Sequence, residues 1–292
     1  SITGDNTSAT YGVSSAQNGT VVKNCIISDF ERGIRFRYAN NSIISNNTIS
    51  SYQYPVDLQL TSTNILVENN TLNMQLNATG EIQYQRGINF YYNVDNSYFV
   101  GNTVNGYSLN GAIHISRGSD NNYVANNTVN VSAIYAAVYV SNYTTNSVNN
   151  ILLNNSIISN STAILVNGTN TTIDCQGATI TGSNTSDSYG VYSNQYNTTV
   201  RNCEIKGFNN GVYINTGSDA ATIYNNTINT TFLGASNDES GIFLRGTNVL
   251  IAENDIYSSR YYALNINLDS DNNTIANNTI DVGSRIAIAA SG

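Results

Sequence analysis

The sequence predicts an all-β solenoid, on three observations. The phrase Asn-Asn-Thr-Ile and its variants recur at 46–49, 69–72, 126–129, 154–157, 225–228 and 277–280, with looser copies beginning at Asn24, Gly101, Asn202 and Glu253. Their steps, 22, 23, 32, 25 and 28 residues in the first half and 23, 28 and 24 in the last third, are those of a repeating coil. Between the phrases lie short β-branched or aromatic runs of period two, such as Gly33-Ile34-Arg35-Phe36-Arg37, Gly87-Ile88-Asn89-Phe90-Tyr91 and Gly111-Ala112-Ile113-His114-Ile115. Turn residues interrupt the chain too often for a helix, which needs apolar residues three and four apart over ten or more positions.

Each element then has a stated cause. Three short strands per coil, joined by Asn and Gly corners, fill a repeat of this length. Asn suits the corner because it tolerates the left-handed backbone conformation, and its amide can bond to its copy one coil above. Within a strand the alternation directs Ile34 and Phe36 inward and Arg35 and Arg37 outward.

A longer repeat overlies the short one. Ile2-Thr3-Gly4, Tyr11-Gly12-Val13, Lys23-Asn24-Cys25 and Gly33-Ile34 match Ile180-Thr181-Gly182, Tyr189-Gly190-Val191, Arg201-Asn202-Cys203 and Gly211-Val212, every pair 178 residues apart. The chain is expected to be a tandem duplication, block one over 1–162 and block two, continuous with it, over 163–292. Block two has a lead-in at 163–178 that block one lacks, which predicts sequence upstream of Ser1.

The stretches Asn170-Thr171-Thr172-Ile173-Asp174-Cys175, Tyr189-Gly190-Val191-Tyr192 and Val200-Arg201-Asn202-Cys203-Glu204-Ile205 resemble the right-handed parallel β-helix families with the pectin-lyase-like fold. The likeness extends to NosD-like repeat proteins and the Asn-rich β-helix proteins of archaeal surfaces. It implies a right-handed parallel β-helix of about a dozen coils, and it leaves function open, because this architecture hosts lyases, hydrolases, adhesins and scaffolds.

Composition excludes several function classes. Only 10% of the 292 residues are charged and the net charge is −8, with no basic stripe for nucleic acid or an anionic membrane. No apolar run approaches the roughly 20 residues of a membrane span. The 19 Asn-x-Ser/Thr sequons fit an exported, extracellular or cell-surface chain. Many arise because the corner favours Asn and the next strand Thr; the best glycosylation candidates are the loop positions Asn6, Asn77, Asn142, Asn184, Asn197 and Asn229. Cys175 and Cys203, 28 residues apart, are placed to form a disulfide or to stack as buried thiols, while Cys25 lacks a mate in the chain. No cofactor is expected. Metal is not expected either: there is no Cys/His cluster, one His and one Met argue against copper, and Asp238-Glu239 and Asp269/Asp271 lack an alternating ligand loop for calcium.

The outward strand positions form one predicted column: Arg35, Asp57, Asn89, His114, Tyr139, Tyr192, Tyr213, Phe243 and Asn265, with Arg37, Gln59, Tyr91 and Ser116 beside it. A glycosidase needs two or three carboxylates close together, and this column offers only Asp57. Arg35, Arg37, Asp57, Tyr91, His114 and Tyr139 are the candidate glycan-contact face. The sequence therefore favours a non-catalytic structural body, a unit of a surface layer, sheath or filament that self-associates end to end. A glycan-binding or lyase-like module on that exposed face is the alternative.

Overall fold

The computed structural model describes residues 1–5, 7–76, 84–230, 239–259, 261–267, 270–283 and 286–290. Among these there are strands, turns and bends but no helix. The strands wind as a parallel solenoid with three walls. Two walls, exemplified by Thr103–Ser108 and Ile113–Ser116, join in a 22-stranded sheet; the third, exemplified by Tyr98–Val100, is an 11-stranded sheet. Its eleven rungs give about eleven coils, close to the expected dozen. Two strands near the start, Tyr11–Ser15 and Val21–Lys23, have counterparts of the same length at a shift of 178, Tyr189–Ser193 and Thr199–Arg201.

The core is one inward column per wall. Ile27, Ile49, Leu72, Val104, Val129, Ile157 and their successors are buried along one wall, Ile34, Val56, Ile88, Ile113 and Val138 along the next, and Val67, Phe99 and Val124 along the third. Each buried side chain of this size contributes on the order of 1.5–3 kcal/mol.

The Asn-Asn corner divides its work between its two residues. The first takes the left-handed conformation, with φ of 54° at Asn46, 54° at Asn69, 55° at Asn126 and 48° at Asn154. The second turns inward and builds a ladder: Asn47 Nδ2 donates to Asn70 Oδ1 (2.9 Å), Asn70 to Asn102 (3.0 Å), Asn102 to Asn127 (3.1 Å) and Asn127 to Asn155 (2.9 Å). Each amide also donates to a backbone carbonyl, as Asn102 Nδ2 does to Val67 O at 2.9 Å, so the buried amides are hydrogen-bonded. In the second half Asn226, Asn254 and Asn278 continue the pattern.

Glycine is required where one wall crowds the next. At Gly211 a Cβ would lie 2.3 Å from Ile228 Cγ2 and 2.6 Å from the Gly241 carbonyl oxygen, which explains why Gly precedes the inward Val or Ile in so many coils.

Candidate functional site

The register aligns the predicted column. Arg35 pairs with Asp57, Asp57 with Asn89, Asn89 with His114, His114 with Tyr139, Tyr139 with Leu165, Leu165 with Tyr192, Tyr192 with Tyr213, Tyr213 with Phe243 and Phe243 with Asn265. The expectation that these side chains face solvent needs correction. Asp57 is 0% exposed, Asn89 2%, Phe243 3% and His114 5%. Asp57 is covered by long side chains from its own strand, from the strand before it and from the corner after it. Arg32 bonds to Asp57, and the guanidinium carbons of Arg32 and Arg86 lie 5.0 and 5.6 Å from the centroid of the Tyr54 ring, a cation–π cluster beside the Asp57 carboxylate.

Beneath that cover runs a polar relay. Asp57 Oδ2 accepts from Arg32 Nη1 (2.6 Å) and Gln59 Nε2 (2.8 Å), and Asp57 Oδ1 accepts from Asn89 Nδ2 (2.9 Å). Because a carboxylate only accepts, the Asn89 amide is oriented with its oxygen toward Arg86 Nη1 (2.9 Å) and His114 Nδ1 (3.2 Å). His114 must then carry its proton on Nδ1, and Nε2 is left as the basic atom. Burial, and secondarily the charges of Arg86 and Arg117, hold the imidazole well below its ordinary range, so it is neutral. Burial also pushes the Tyr54 phenol up.

The relay opens into a cleft of about 580 Å³ whose lining includes Arg86, His114, Arg117, Tyr91, Tyr139 and Tyr143. Arg117 packs on three rings, Tyr91, Tyr92 and Tyr143, at 4.5–4.7 Å, and its Nη1 donates to the Tyr92 hydroxyl. Arg32 is neutralised by Asp57, whereas Arg86 and Arg117 have no carboxylate partner among the described residues. The cleft is thus cationic within an acidic protein. It can hold an anion between two guanidiniums, stack sugar faces on phenol rings, and take up a proton at His114 Nε2.

Asp57, Tyr91, His114 and Tyr139 are brought together here, with Asp57 beneath the surface. Arg35 and Arg37 are not. Arg35 is committed to Tyr11 OH (2.7 Å) and Gln59 Oε1 (3.2 Å), and Arg37 lies over Tyr38. Their places are taken by Arg86 and Arg117, which sequence reasoning missed because both stand at corners, outside the alternating runs. The available signal was the corner pattern itself: Arg86 and Arg117 bracket the strands of Asn89 and His114.

Elsewhere, Asn142, Asn184, Asn197 and Asn229 are exposed, although Asn197 Nδ2 donates to Asn170 Oδ1 at 3.1 Å in a surface ladder. Asn6, Asn77, Asp238 and Asp269 lie outside the described residues. Cys175 and Cys203 form a disulfide with Cα atoms 4.7 Å apart, and Cys25 is free and half-buried. Cys25 and Cys203 occupy the ladder corner, their backbone amides donating to Asn47 Oδ1 and Asn226 Oδ1. Among the described residues no group of three His, Cys, Asp or Glu is placed to hold a metal, and no helix is long and apolar enough to cross a membrane.

Residues 1–129 and 162–292 match the family described as right handed beta helix region, and the chain belongs to that family. No curated protein matches the sequence. Among solved structures it is similar to a tailspike protein mutant of E. coli bacteriophage HK620 in complex with a pentasaccharide, with 14% identity and a TM-score of 0.55 over 95% of this chain. It spans 55% of that tailspike's length. It is also similar to PfbA, a surface adhesin of Streptococcus pneumoniae (13% identity, TM-score 0.57, 88% of this chain and 84% of that one). An alginate lyase from Paenibacillus sp. gives 11% identity and a TM-score of 0.51 over 93% and 99% of the two chains. At these identities the likeness is one of fold.

Proposed function

We propose that this right-handed β-helix protein is an extracellular glycan-binding protein whose cleft takes an acidic sugar. One observation carries the reading: Arg86 and Arg117 line a tyrosine-walled cleft without a described carboxylate partner, in a chain of net charge −8. Two guanidiniums suit a sugar carboxylate, which they can grip through paired N–H donors, and phenol rings suit the apolar faces of pyranoses. The tailspike in complex with a pentasaccharide, as a fold relative, supports the class of ligand. Calorimetric titration with uronic-acid oligosaccharides tests it. Arg117→Gln should weaken binding at least tenfold, while Arg37→Ala, outside the cleft, should leave it unchanged. Absence of binding by the native protein, or equal binding by Arg117→Gln, overturns the reading.

His114 favours a second reading, lyase-like cleavage. A neutral imidazole with Nε2 as its basic atom beside two guanidiniums suits removal of the proton next to a uronate carboxylate, the electron pair then forming the C4–C5 double bond as the glycosidic oxygen leaves and takes a proton from water. Release of unsaturated sugar ends by the native protein but not by His114→Gln supports it; their absence leaves binding without turnover. End-to-end self-association, the structural role expected from the sequence, is a separate reading, which concentration-dependent sedimentation tests.

A further inference from the structure

The ring-bearing column has a gap. His114 and Tyr139 contribute rings on one side, 5.3 Å apart, and Tyr192, Tyr213 and Phe243 on the other, stacked nearly parallel at 5.2 and 4.5 Å. Between Tyr139 and Tyr192 the register puts Leu165. A leucine is too short to fill the rung that a ring fills elsewhere. Tyr139 and Tyr192 are two rungs apart, ~9.6 Å at ~4.8 Å per rung. One ring in between would sit ~4.8 Å from each, within the usual stacking range.

The polar groups around the gap repeat a rule. Tyr139 OH accepts from Asn167 Nδ2 at 3.1 Å, and Tyr192 OH from Asn215 Nδ2 at 2.6 Å; each Asn stands two residues beyond the next member of the column. By the same rule Asn194 stands where it would meet the hydroxyl of a ring at position 165. With Leu165 there, Asn194 Oδ1 accepts from Gln195 Nε2 at 3.2 Å, and its Nδ2 has no partner among the described residues. Asn167 Oδ1 is buried and likewise without a described partner. Leu165, Asn167, Tyr192 and Asn194 line one pocket of about 340 Å³, which adjoins the cationic cleft and shares Tyr135 with it.

We propose that the pocket over Leu165 is a second sugar subsite, in which one neutral pyranose stacks on Tyr192 and bonds through its hydroxyls to Asn194 and Asn167. It rests on the preceding assignment of the cleft, which it extends from an acidic sugar to an acidic sugar linked to a neutral one. A ring with hydroxyls at its rim matches both the slot and its amides, and the carboxylate of Asp187 at the same pocket disfavours a second uronate. The two sites are one to two rungs apart, ~5–10 Å, the reach of a disaccharide.

Leu165→Tyr fills the gap from within and offers Asn194 a phenol. Titrations with glucuronate alone and with glucuronate linked to glucose separate the two sites. The expected result is that Leu165→Tyr and Asn194→Ala each weaken disaccharide binding at least fivefold and leave glucuronate binding unchanged, Asn194→Ala guarding against misfolding of the larger variant. If Arg117→Gln abolishes binding of both ligands while both gap variants bind the disaccharide as the native protein does, this subsite is overturned and the cleft assignment stands. If the native protein binds neither ligand, both are overturned.

Discussion

Asn89 joins a buried acid to a buried base: its Oδ1 lies 3.2 Å from His114 Nδ1 while its Nδ2 donates to Asp57 at 2.9 Å. The three residues come from successive coils, so the solenoid register itself builds the relay. The consequence is a histidine kept neutral in the fold. Above its ordinary value of 6.5 the imidazole is neutral in both folded and unfolded chains, and its titration contributes no pH dependence. Below 6.5 the unfolded chain takes up a proton that the folded chain refuses, so stability falls with pH down to the depressed folded value. Thermal melts from pH 8 to pH 5 should show a decline in native Tm starting near pH 6.5, and His114→Gln should flatten it. Parallel profiles for the two proteins would refute this origin.

The Arg32–Asp57 pair should matter more than the other ion pairs. Asp57 is fully buried and the Arg32 side chain is 19% exposed, whereas Lys206 and Glu204 are 45% and 43% exposed. Removing one member of a buried pair strands the other charge, at a cost of about 3 kcal/mol or more. Asp57→Ala should therefore lower denaturant stability by about that much, and Lys206→Ala by under about 0.5 kcal/mol. Asp57→Asn should fall between them, since an amide can still accept from Arg32. Similar losses for Asp57→Ala and Lys206→Ala would count against the assignment.

The sequence disclosed the parts governed by period. The Asn-Asn-Thr phrase marked the corners, and alternation placed Asp57, Asn89, His114 and Tyr139 in register, because strand pairing in a solenoid follows from coil length. What it could not disclose was cover. Whether Asp57 meets water depends on Arg32 and Tyr54, which follow the irregular register of the long strands Ile26–Arg37 and Thr48–Gln59, and on Arg86 at a corner; neither an irregular register nor a corner obeys the period. Leu165 was passed over for a related reason: a residue notable for being smaller than its column neighbours matters only once those neighbours are known to be rings.

The inward asparagine ladder should be intolerant of substitution at its centre. Asn102 Oδ1 accepts from both the backbone N–H and Nδ2 of Asn70, and its own Nδ2 serves Val67 O, Val100 O and Asn127 Oδ1. Asn102→Ala removes all of these bonds and leaves buried partners unmatched, which costs on the order of 1–3 kcal/mol for a neutral group. Asn102→Asp should be worse, since a carboxylate cannot donate and would face three acceptors. Asn105→Ala, in the strand that follows, is half-buried with a single 3.3 Å bond to Asn73 Oδ1 and should cost much less. Urea titrations rank the three; an Asn105→Ala loss equal to that of Asn102→Ala would deny the ladder its role.

The disulfide stands at the corner that asparagines fill in other coils, and so replaces ladder bonds with a covalent one. Cys175 and Cys203 close a loop 28 residues apart, about one coil, containing the strands Thr179–Gly182, Tyr189–Ser193 and Thr199–Arg201. Restricting a loop of that length in the unfolded chain stabilises by about 3 kcal/mol. Because each coil of a solenoid touches only its neighbours, the loss on reduction should be local rather than global. Cys203→Ser, or treatment with a thiol reductant, should raise amide hydrogen exchange in Tyr189–Ser193 and Thr199–Arg201, leaving Ile88–Tyr91 and Ile113–Ser116 protected as before. The cleft should then bind its ligand unchanged, since its strands lie in the first half of the chain. Exchange rising equally in both groups of strands would show that the coils unfold as one cooperative unit, and exchange rising in neither would show that the cysteines contribute only packing.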